Sequence, residues 1–521
     1  MKKLTFLLST LIILSSCGTS NKTSVSSAPK PPANPVDYAS TITKEELKEM
    51  LYIYASDEFE GRETGEPGQK KAVNYLKEQY VEMGIPSPIS EDDYFQEVPL
   101  QKQKPADVEL SLNDDNFENF QDFLVLGSVE SQTLDISEVV YAGYGIDAEN
   151  YSDYNNIDVK GKIVLVKVGE PKDDQDNYIT TGTKLDTKWS VGRQSIRTKR
   201  DAAKERGAKA LLYYNPGLLA TYGPYYKQLS DSGEAGRMSL KGDKNEMINM
   251  LIGDKLAESL FPDIDTTEEH QTIKANININ IKSKNVEVDS ENVVAFLEGS
   301  ENPDEIIVIS AHLDHEGIKD GKVYNGADDD GSGTIAILEI AEAFKAAQKE
   351  GYTPRRSILF LHVTGEEKGL LGSRHYSDND PIFPLKNTVA NLNIDMIGRT
   401  DPKREGDRNY IYLIGSDKLS TELHDISEEI NNRYTNINLD YTYNDDNDPN
   451  RFYYRSDHYN FAKNNIPVIF YFNGTHADYH QPSDTPDKIQ YDLLENRARL
   501  VFHTAWELAN RDQRIVVDKV K

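Results

Sequence analysis

Ile306-Ile307-Val308-Ile309-Ser310-Ala311-His312-Leu313-Asp314-His315 passes from an unbroken apolar run into a cluster of imidazoles and a carboxylate. Such a run, bounded by polar residues, reads as a strand buried on both faces. The same unit recurs. Ser357–Val363 leads into Gly365-Glu366-Glu367, Thr388–Ile394 leads into Asp395-Met396, and Pro467–Phe472 lies upstream of Tyr479-His480-Gln481-Pro482. An amphipathic helix, Ile335–Phe344, separates the first two strands and follows Asp328-Asp329-Asp330-Gly331. Strand, polar loop and helix in alternation predict an α/β fold: a mostly parallel sheet sandwiched by helices, with ligands at the carboxyl ends of its strands. Nine of the ten histidines lie beyond residue 300, where those strand ends are.

Outward from this half, the 521 residues are too many for one ordinary core, so further domains are expected. Thr43-Lys44-Glu45-Glu46 has the form of a capped helix start. After the polar loop Ser56–Gly65 a second helix carries Ala72, Val73, Leu76 and Tyr80 inward and stops at Gly84. Residues 41–130 read as the N-terminal part of the main domain and 285–521 as its main body. Between them, 131–284 has short strands with turns, such as Val139–Gly145 and Gly161–Val166, and no catalytic constellation. It reads as a smaller, β-rich inserted domain. The net charge of -29 argues against nucleic acid as a partner, because phosphate repels a surface of that sign.

Lys2 and Lys3 followed by the apolar run Leu4–Leu14 read as a targeting segment, too short to span a bilayer comfortably. The run ends in Leu14-Ser15-Ser16-Cys17-Gly18, which resembles a bacterial lipobox with lipid attached at Cys17. Residues 1–16 are then a lipoprotein signal peptide and 17–40 a flexible tether rich in Ser, Thr, Pro and Asn. Cys17 is the only cysteine, so an internal disulfide is excluded. The expected location is the bacterial cell envelope, at the outer membrane or periplasmic face, with the membrane reached through the lipid.

The clusters can be weighed as chemistry. Zinc takes imidazole nitrogen and carboxylate oxygen, and a zinc pair needs a shared carboxylate. His312, Asp329, Glu367, Asp395 and His480 supply such a set. Glu366, beside a ligand glutamate, is placed to act as general base. Asp395 is the hardest to read as ordinary structure, since a carboxylate entering a buried strand is costly unless paired or metal-bound.

Six separated motifs then agree in order with one family. Ser310–His315, Gly326–Gly333, Thr364–Ser373, Asn393–Gly398, Arg455–His458 and Tyr479–Thr485 resemble the M28 family of co-catalytic zinc aminopeptidases, and Ser56–Gly65 extends the likeness. The insert resembles a protease-associated (PA) domain. The resemblance implies a zinc-exopeptidase-like (phosphorylase/hydrolase-like) fold and two zinc ions per chain. It implies that His312 and Asp395 hold one zinc, Glu367 and His480 the other, and that Asp329 bridges them. Glu366 would be the general base for hydrolysis of N-terminal residues from peptides by metal-bound water. Tyr479 would stabilise the oxyanion, Asp314 would orient His312 through its carboxylate, and Asp457 would support the pocket. Asp330 stands where the family often has Asn. Alternatives are a glutaminyl-cyclase-like transferase with one zinc, a carboxypeptidase, and an inactive peptide-binding lipoprotein.

Overall fold

Nine strands form one sheet, and its middle is what the sequence predicts. In the computed structural model, which describes residues 33–519 except 128, 191, 233–235, 243–246, 268 and 405, Arg356–Val363, Asn302–His312, Thr388–Ile394 and Val468–Phe472 run parallel and adjacent. Every residue from Ile306 to His312 is buried, as a central strand covered on both faces requires. Antiparallel strands flank this centre. Val286–Leu297 and then Phe95–Lys102 lie on one side, and Tyr410–Ile414 lies beside Val468–Phe472 on the other. The centre, where the clusters sit, is thus parallel throughout, and one further parallel pair, Tyr410–Ile414 with Asn438–Asp440, closes the edge.

Helices cover both faces. Ile306, Val308, Leu359 and Leu361 pack with Tyr376 and with Phe461 of the short helix His458–Ala462. Helices Gly333–Lys349 and Tyr491–Asn510 pack against the same strands from the opposite side. Helix Lys44–Tyr54 starts as read from the sequence. Thr43 Oγ1 accepts from the Glu46 N–H at 3.2 Å and donates to the Glu46 carboxylate at 2.7 Å, an N-cap in which the Thr43 backbone N–H donates instead to Glu339 at 3.2 Å. Helix Pro67–Met83 stops at Gly84, whose φ of 71° is left-handed.

The second sheet has eight strands, with Gln132–Tyr141, Ile163–Lys167, Ala210–Tyr214 and Ile248–Ile252 parallel at its centre. Its extent differs from the expected 131–284. Asp107–Leu112, Asp115–Phe117 and Phe123–Val125 also belong to it, because their apolar residues Val108, Leu110, Phe117 and Phe123 find partners only in that core. One strand goes the other way. Met238–Leu240, inside the insert in sequence, pairs with Phe95–Lys102 of the first sheet and packs Met238 and Leu240 on Val98, Leu100 and Leu371. Pro35–Lys521 accordingly forms one compact unit. The expected signal peptide, Cys17 and most of the expected tether lie outside the described residues, and no described helix is long and apolar enough to cross a membrane.

The loop Ser56–Gly65 ties the N-terminal part of the main domain to the segment after the His312 strand through Arg62. Its fully buried guanidinium donates to the backbone carbonyls of Leu313 (3.1 Å), Tyr54 (3.2 Å), Asn325 (2.7 Å) and Gly326 (2.9 Å), and it sits 4.6 Å from the Tyr54 ring centre. Arg62→Met keeps much of the volume but takes a donor from four buried carbonyls, of which Leu313 keeps the Tyr54 hydroxyl at 3.0 Å and Gly326 keeps the Gly331 N–H at 3.1 Å. We expect a loss of at least about 2 kcal/mol, since the Tyr54 and Asn325 carbonyls lose their donor and each such group costs on the order of 1–3 kcal/mol. Urea unfolding should show a lower midpoint at unchanged slope.

Candidate metal centre

Three strand ends and two loops converge on one point. His312 terminates its strand, Glu366 and Glu367 leave Arg356–Val363 through Thr364-Gly365, and Asp395 directly follows Thr388–Ile394. Asp329 comes from the turn Ala327–Ser332 before helix Gly333–Lys349, and His480 from the loop after Val468–Phe472. His312 Nε2 lies 3.1 Å from Asp329 Oδ1 and 3.7 Å from Asp395 Oδ1. His480 Nε2 lies 3.0 Å from Asp329 Oδ2 and 3.2 Å from Glu367 Oε1. The five residues singled out in the sequence come together, with the two histidines on different oxygens of one carboxylate.

Supporting contacts fix the donors. His312 Nδ1–H donates to the Asp314 backbone carbonyl at 3.0 Å, which leaves the Nε2 lone pair toward Asp329 and Asp395. The sequence points to the Asp314 carboxylate for that task, but its Oδ1 is 4.0 Å from Nδ1. The strand ends at His312, and the bend that follows turns the carbonyl of Asp314 back to the ring. The freed carboxylate accepts from the Thr64 hydroxyl at 2.6 Å and from the Glu366 backbone N–H at 3.1 Å, so it positions Glu366. Asp395 Oδ2 accepts from Ser456 Oγ at 2.6 Å, Ser456 Oγ accepts from Asn393 Nδ2 at 2.9 Å, and Asn393 Oδ1 accepts from Ser310 Oγ at 2.7 Å.

The three consecutive aspartates make different contacts. Asp330 accepts from the backbone N–H groups of His312 (3.2 Å), Gly333 (3.0 Å) and Met396 (3.0 Å), joining two strand ends to a helix start. Asp328 accepts from the Gly398 N–H at 2.7 Å and from His476 at 3.0 Å. Asp329 alone turns its carboxylate to His312 and His480, and its own N–H, with that of Asp328, donates to Asp484 Oδ2 at 3.2 and 3.0 Å. Asp457 accepts from Ser373 and is fully buried. His458 stacks on Phe470 with centroids 4.7 Å apart. Tyr479 lies over the His480 ring with centroids 4.0 Å apart.

The electrostatics call for positive charge. Burial holds the Glu366 carboxyl well above the usual carboxylate range, and the charges of Glu367, Asp395 and Asp457 add to it against the opposing His312. Burial raises Asp314 and Asp330 likewise, and Asp457 to about 7. Burial and the Asp329 charge push Glu367 up, yet His315 and His480 pull it to about 2. Burial would lower His480, but Asp329 and Glu367 raise it to about 10. Burial, then the charges of Asp329, Glu367 and Glu366, hold the Tyr479 hydroxyl far above its ordinary value, so it stays a donor.

The donor set fits metal ions. Asp329 Oδ2, Glu367 Oε1 and both ring nitrogens of His315 are buried without a hydrogen-bond partner, a costly state that a bound cation relieves. His312, Asp329 and Asp395 form one group able to hold an ion, and His315, Asp329 and Glu367 form another. Glu316 joins Glu367 and His480 in a third, its Oε1 3.6 Å from His480 Nδ1. His315, Glu316, Ser456 and Asp484 are functional neighbours that the sequence reading leaves without a role. The His312-x-x-His315 spacing was the available signal for the first of them.

Residues 292–505 match the model of peptidase family M28, and residues 136–259 match that of the PA domain. The chain is 33% identical over 119 residues to the probable glutamate carboxypeptidase LAMP1 of Arabidopsis thaliana, a stretch covering 23% of this chain and only 16% of that one. It is 25% identical over 435 residues to a probable leucine aminopeptidase 2 of Aspergillus oryzae, covering 82% and 72%. Among solved structures, an aminopeptidase from Aneurinibacillus sp. strain AM-1 aligns with a TM-score of 0.46 at 20% identity, over 94% of this chain and 99% of that one.

Ser456→Ala removes the hydroxyl that donates to Asp395 Oδ2. Loss of such an outer contact lowers metal affinity by about 10–100-fold. Competition with a chromogenic chelator should show that loss for one bound equivalent and leave the remainder unchanged.

Proposed function

We propose, on the premise that residues 292–505 belong to peptidase family M28 and residues 136–259 to the PA domain family, that this chain is a zinc-dependent aminopeptidase that removes N-terminal residues from peptides. The observation that carries the reading is the Asp329 carboxylate, with His312 Nε2 3.1 Å from Oδ1 and His480 Nε2 3.0 Å from Oδ2. His312, Asp329 and Asp395 would hold one zinc, and Asp329, Glu367 and His480 a second. Bound zinc supplies Lewis acidity, which polarises a substrate carbonyl and makes water easier to deprotonate at neutral pH.

The chain's own residues do the rest. Glu366, its backbone held by Asp314, takes a proton from the attacking water and returns it to the departing amine. Burial and the neighbouring carboxylates raise its pKa, which favours holding the proton between the two halves of that task. The Tyr479 hydroxyl, kept protonated, donates to the oxygen on which negative charge develops. Beside Glu367, a cleft lined by Glu63, Lys102, Arg237, Lys368 and Gly369 opens toward the insert and offers room for the rest of the peptide. A lipid on Cys17 would hold the enzyme at the bacterial cell envelope. Cys17→Ala should release it from the membrane fraction on centrifugation.

Glu366→Gln should lower kcat on aminoacyl p-nitroanilides by at least about 100-fold with zinc content unchanged. Near-normal turnover would remove Glu366 from the base role. A chelator should abolish activity, and added zinc should restore it. Acetylation of a peptide's N-terminus should block cleavage while C-terminal amidation should not; the reverse pattern would make the enzyme a carboxypeptidase.

A further inference from the structure

His315 is fully buried, and neither ring nitrogen has a hydrogen-bond partner. A neutral histidine kept only for packing would give its N–H to a carbonyl or carboxylate. Its Nδ1 does lie 3.0 Å from Glu367 Oε1 and 3.8 Å from Asp329 Oδ2, but without hydrogen-bond alignment to either. Those two oxygens are themselves buried and unpartnered. Three orphaned donors facing one another, none bonded to another, are aimed at a common point between them.

We infer that His315 is a fourth protein ligand of the metal ion held by Asp329, Glu367 and His480. The inference rests on the di-zinc reading above and extends it. In a tetrahedral site with bonds of about 2.1 Å, neighbouring donor atoms stand roughly 3.4 Å apart. The four measured edges are 3.0 Å for His315 to Glu367, 3.8 Å for His315 to Asp329, 3.0 Å for His480 to Asp329 and 3.2 Å for His480 to Glu367. They bracket that value. The two imidazoles meet edge to face, with centroids 5.6 Å apart and planes at 78°, so neither ring blocks the other's nitrogen.

The ring is held in this pose before any ion arrives. The His315 backbone N–H donates to the Arg62 carbonyl at 3.3 Å, which ties the residue to the buried loop Ser56–Gly65. On its other side lies Gly326, where an added Cβ would come within 2.5 Å of the ring. Glycine at 326 therefore makes room for the imidazole. The two metal positions then differ in kind. One has four protein donors, two of them imidazoles, and is closed. The other has His312, Asp329 and Asp395, and keeps coordination free for substrate and water. The four-donor position should fill first and release its ion last.

The test is a Co2+ titration of the chelator-treated full-length chain, followed by visible and near-ultraviolet absorption. The unaltered chain should take up two equivalents in sequence, the tighter one with the strong visible band of four-coordinate cobalt. His315→Ala should weaken the tighter equivalent by at least about tenfold, bring the two steps together and lower that band. His315→Cys should restore tight binding and add a thiolate-to-cobalt band in the near ultraviolet, a signature that a packing role cannot produce. Unchanged first-equivalent affinity in His315→Ala, or two bound equivalents without the new band in His315→Cys, overturns the assignment. Melting of both variants in chelator reports whether the metal-free fold is intact, and where His315→Ala fails to fold the cysteine variant decides. Fewer than two equivalents on the unaltered chain would instead refute the di-zinc reading itself.

Discussion

Charge balance among buried carboxylates is the constraint on which the rest of this molecule depends. Asp314, Asp328, Asp329, Asp330, Asp457 and Asp484 are almost inaccessible, Asp395 is 8% exposed, and the Glu367 side chain is 4% exposed. Each isolated buried ion costs several kcal/mol even after relaxation. The charged side chains that answer them are mainly histidines, and the nearest arginine, Arg399, stands 4.0 Å from Asp484 at the edge. Protonation of His312 and His480 supplies positive charge in the absence of metal, which is why both are driven above their ordinary range despite burial. Divalent cations would displace those protons and bond the unpartnered oxygens in the same step.

A cluster of this cost needs a rigid frame, and the frame is built from buried side chains that satisfy backbone rather than one another. Arg62 gathers carbonyls on both sides of the metal loop. Arg497 does the same below it, donating to the carbonyls of Ile397 at 2.8 Å, Arg399 at 2.6 Å and Tyr410 at 3.0 Å. Asp330 and Asp484 complete the pattern from the acceptor side, taking the N–H groups of the strand end, the helix start and Asp329 itself. Polar loops at the ends of a parallel sheet leave many backbone groups unpaired. Here one buried charge serves several of them, so displacing any one segment disturbs its neighbours.

The legible part of this design is the part written in local pattern. Apolar runs located the four central strands, the Thr43–Glu46 cap located a helix, and polar inserts after the runs located His312, Glu366, Glu367 and Asp395. Asp329 and His480, on loops, came through motif order rather than periodicity. Contacts that depend on how loops fold back were not legible. Nothing in the spelling Leu313-Asp314-His315 says that the Asp314 carbonyl, not its carboxylate, will reach His312, since that follows from where the strand stops. For His315 the sequence offers only its spacing from His312. Its burial depends on Arg62 and Gly326, distant in sequence and adjacent only in the fold.

The insert shows the same limit at the scale of domains. Sequence texture separates it from the main domain because its own strands have their own core. The chain nevertheless returns a strand, Met238–Leu240, to the edge of the first sheet, where it covers Val98, Leu100 and Leu371. Leu371 follows Gly369 and Leu370 in the loop that carries Glu366 and Glu367, and a Cβ at Gly369 would stand 3.2 Å from the Arg237 guanidinium. The glutamate loop is therefore packed in part by the insert. Excision of 131–284 would remove an apolar partner from beneath the proposed general base, besides cutting the second sheet between strands. What reads as an accessory domain is physically one wall of the cleft, and the residues bordering the metal cluster on that side, Lys102, Arg237 and Lys368, come from both parts of the chain.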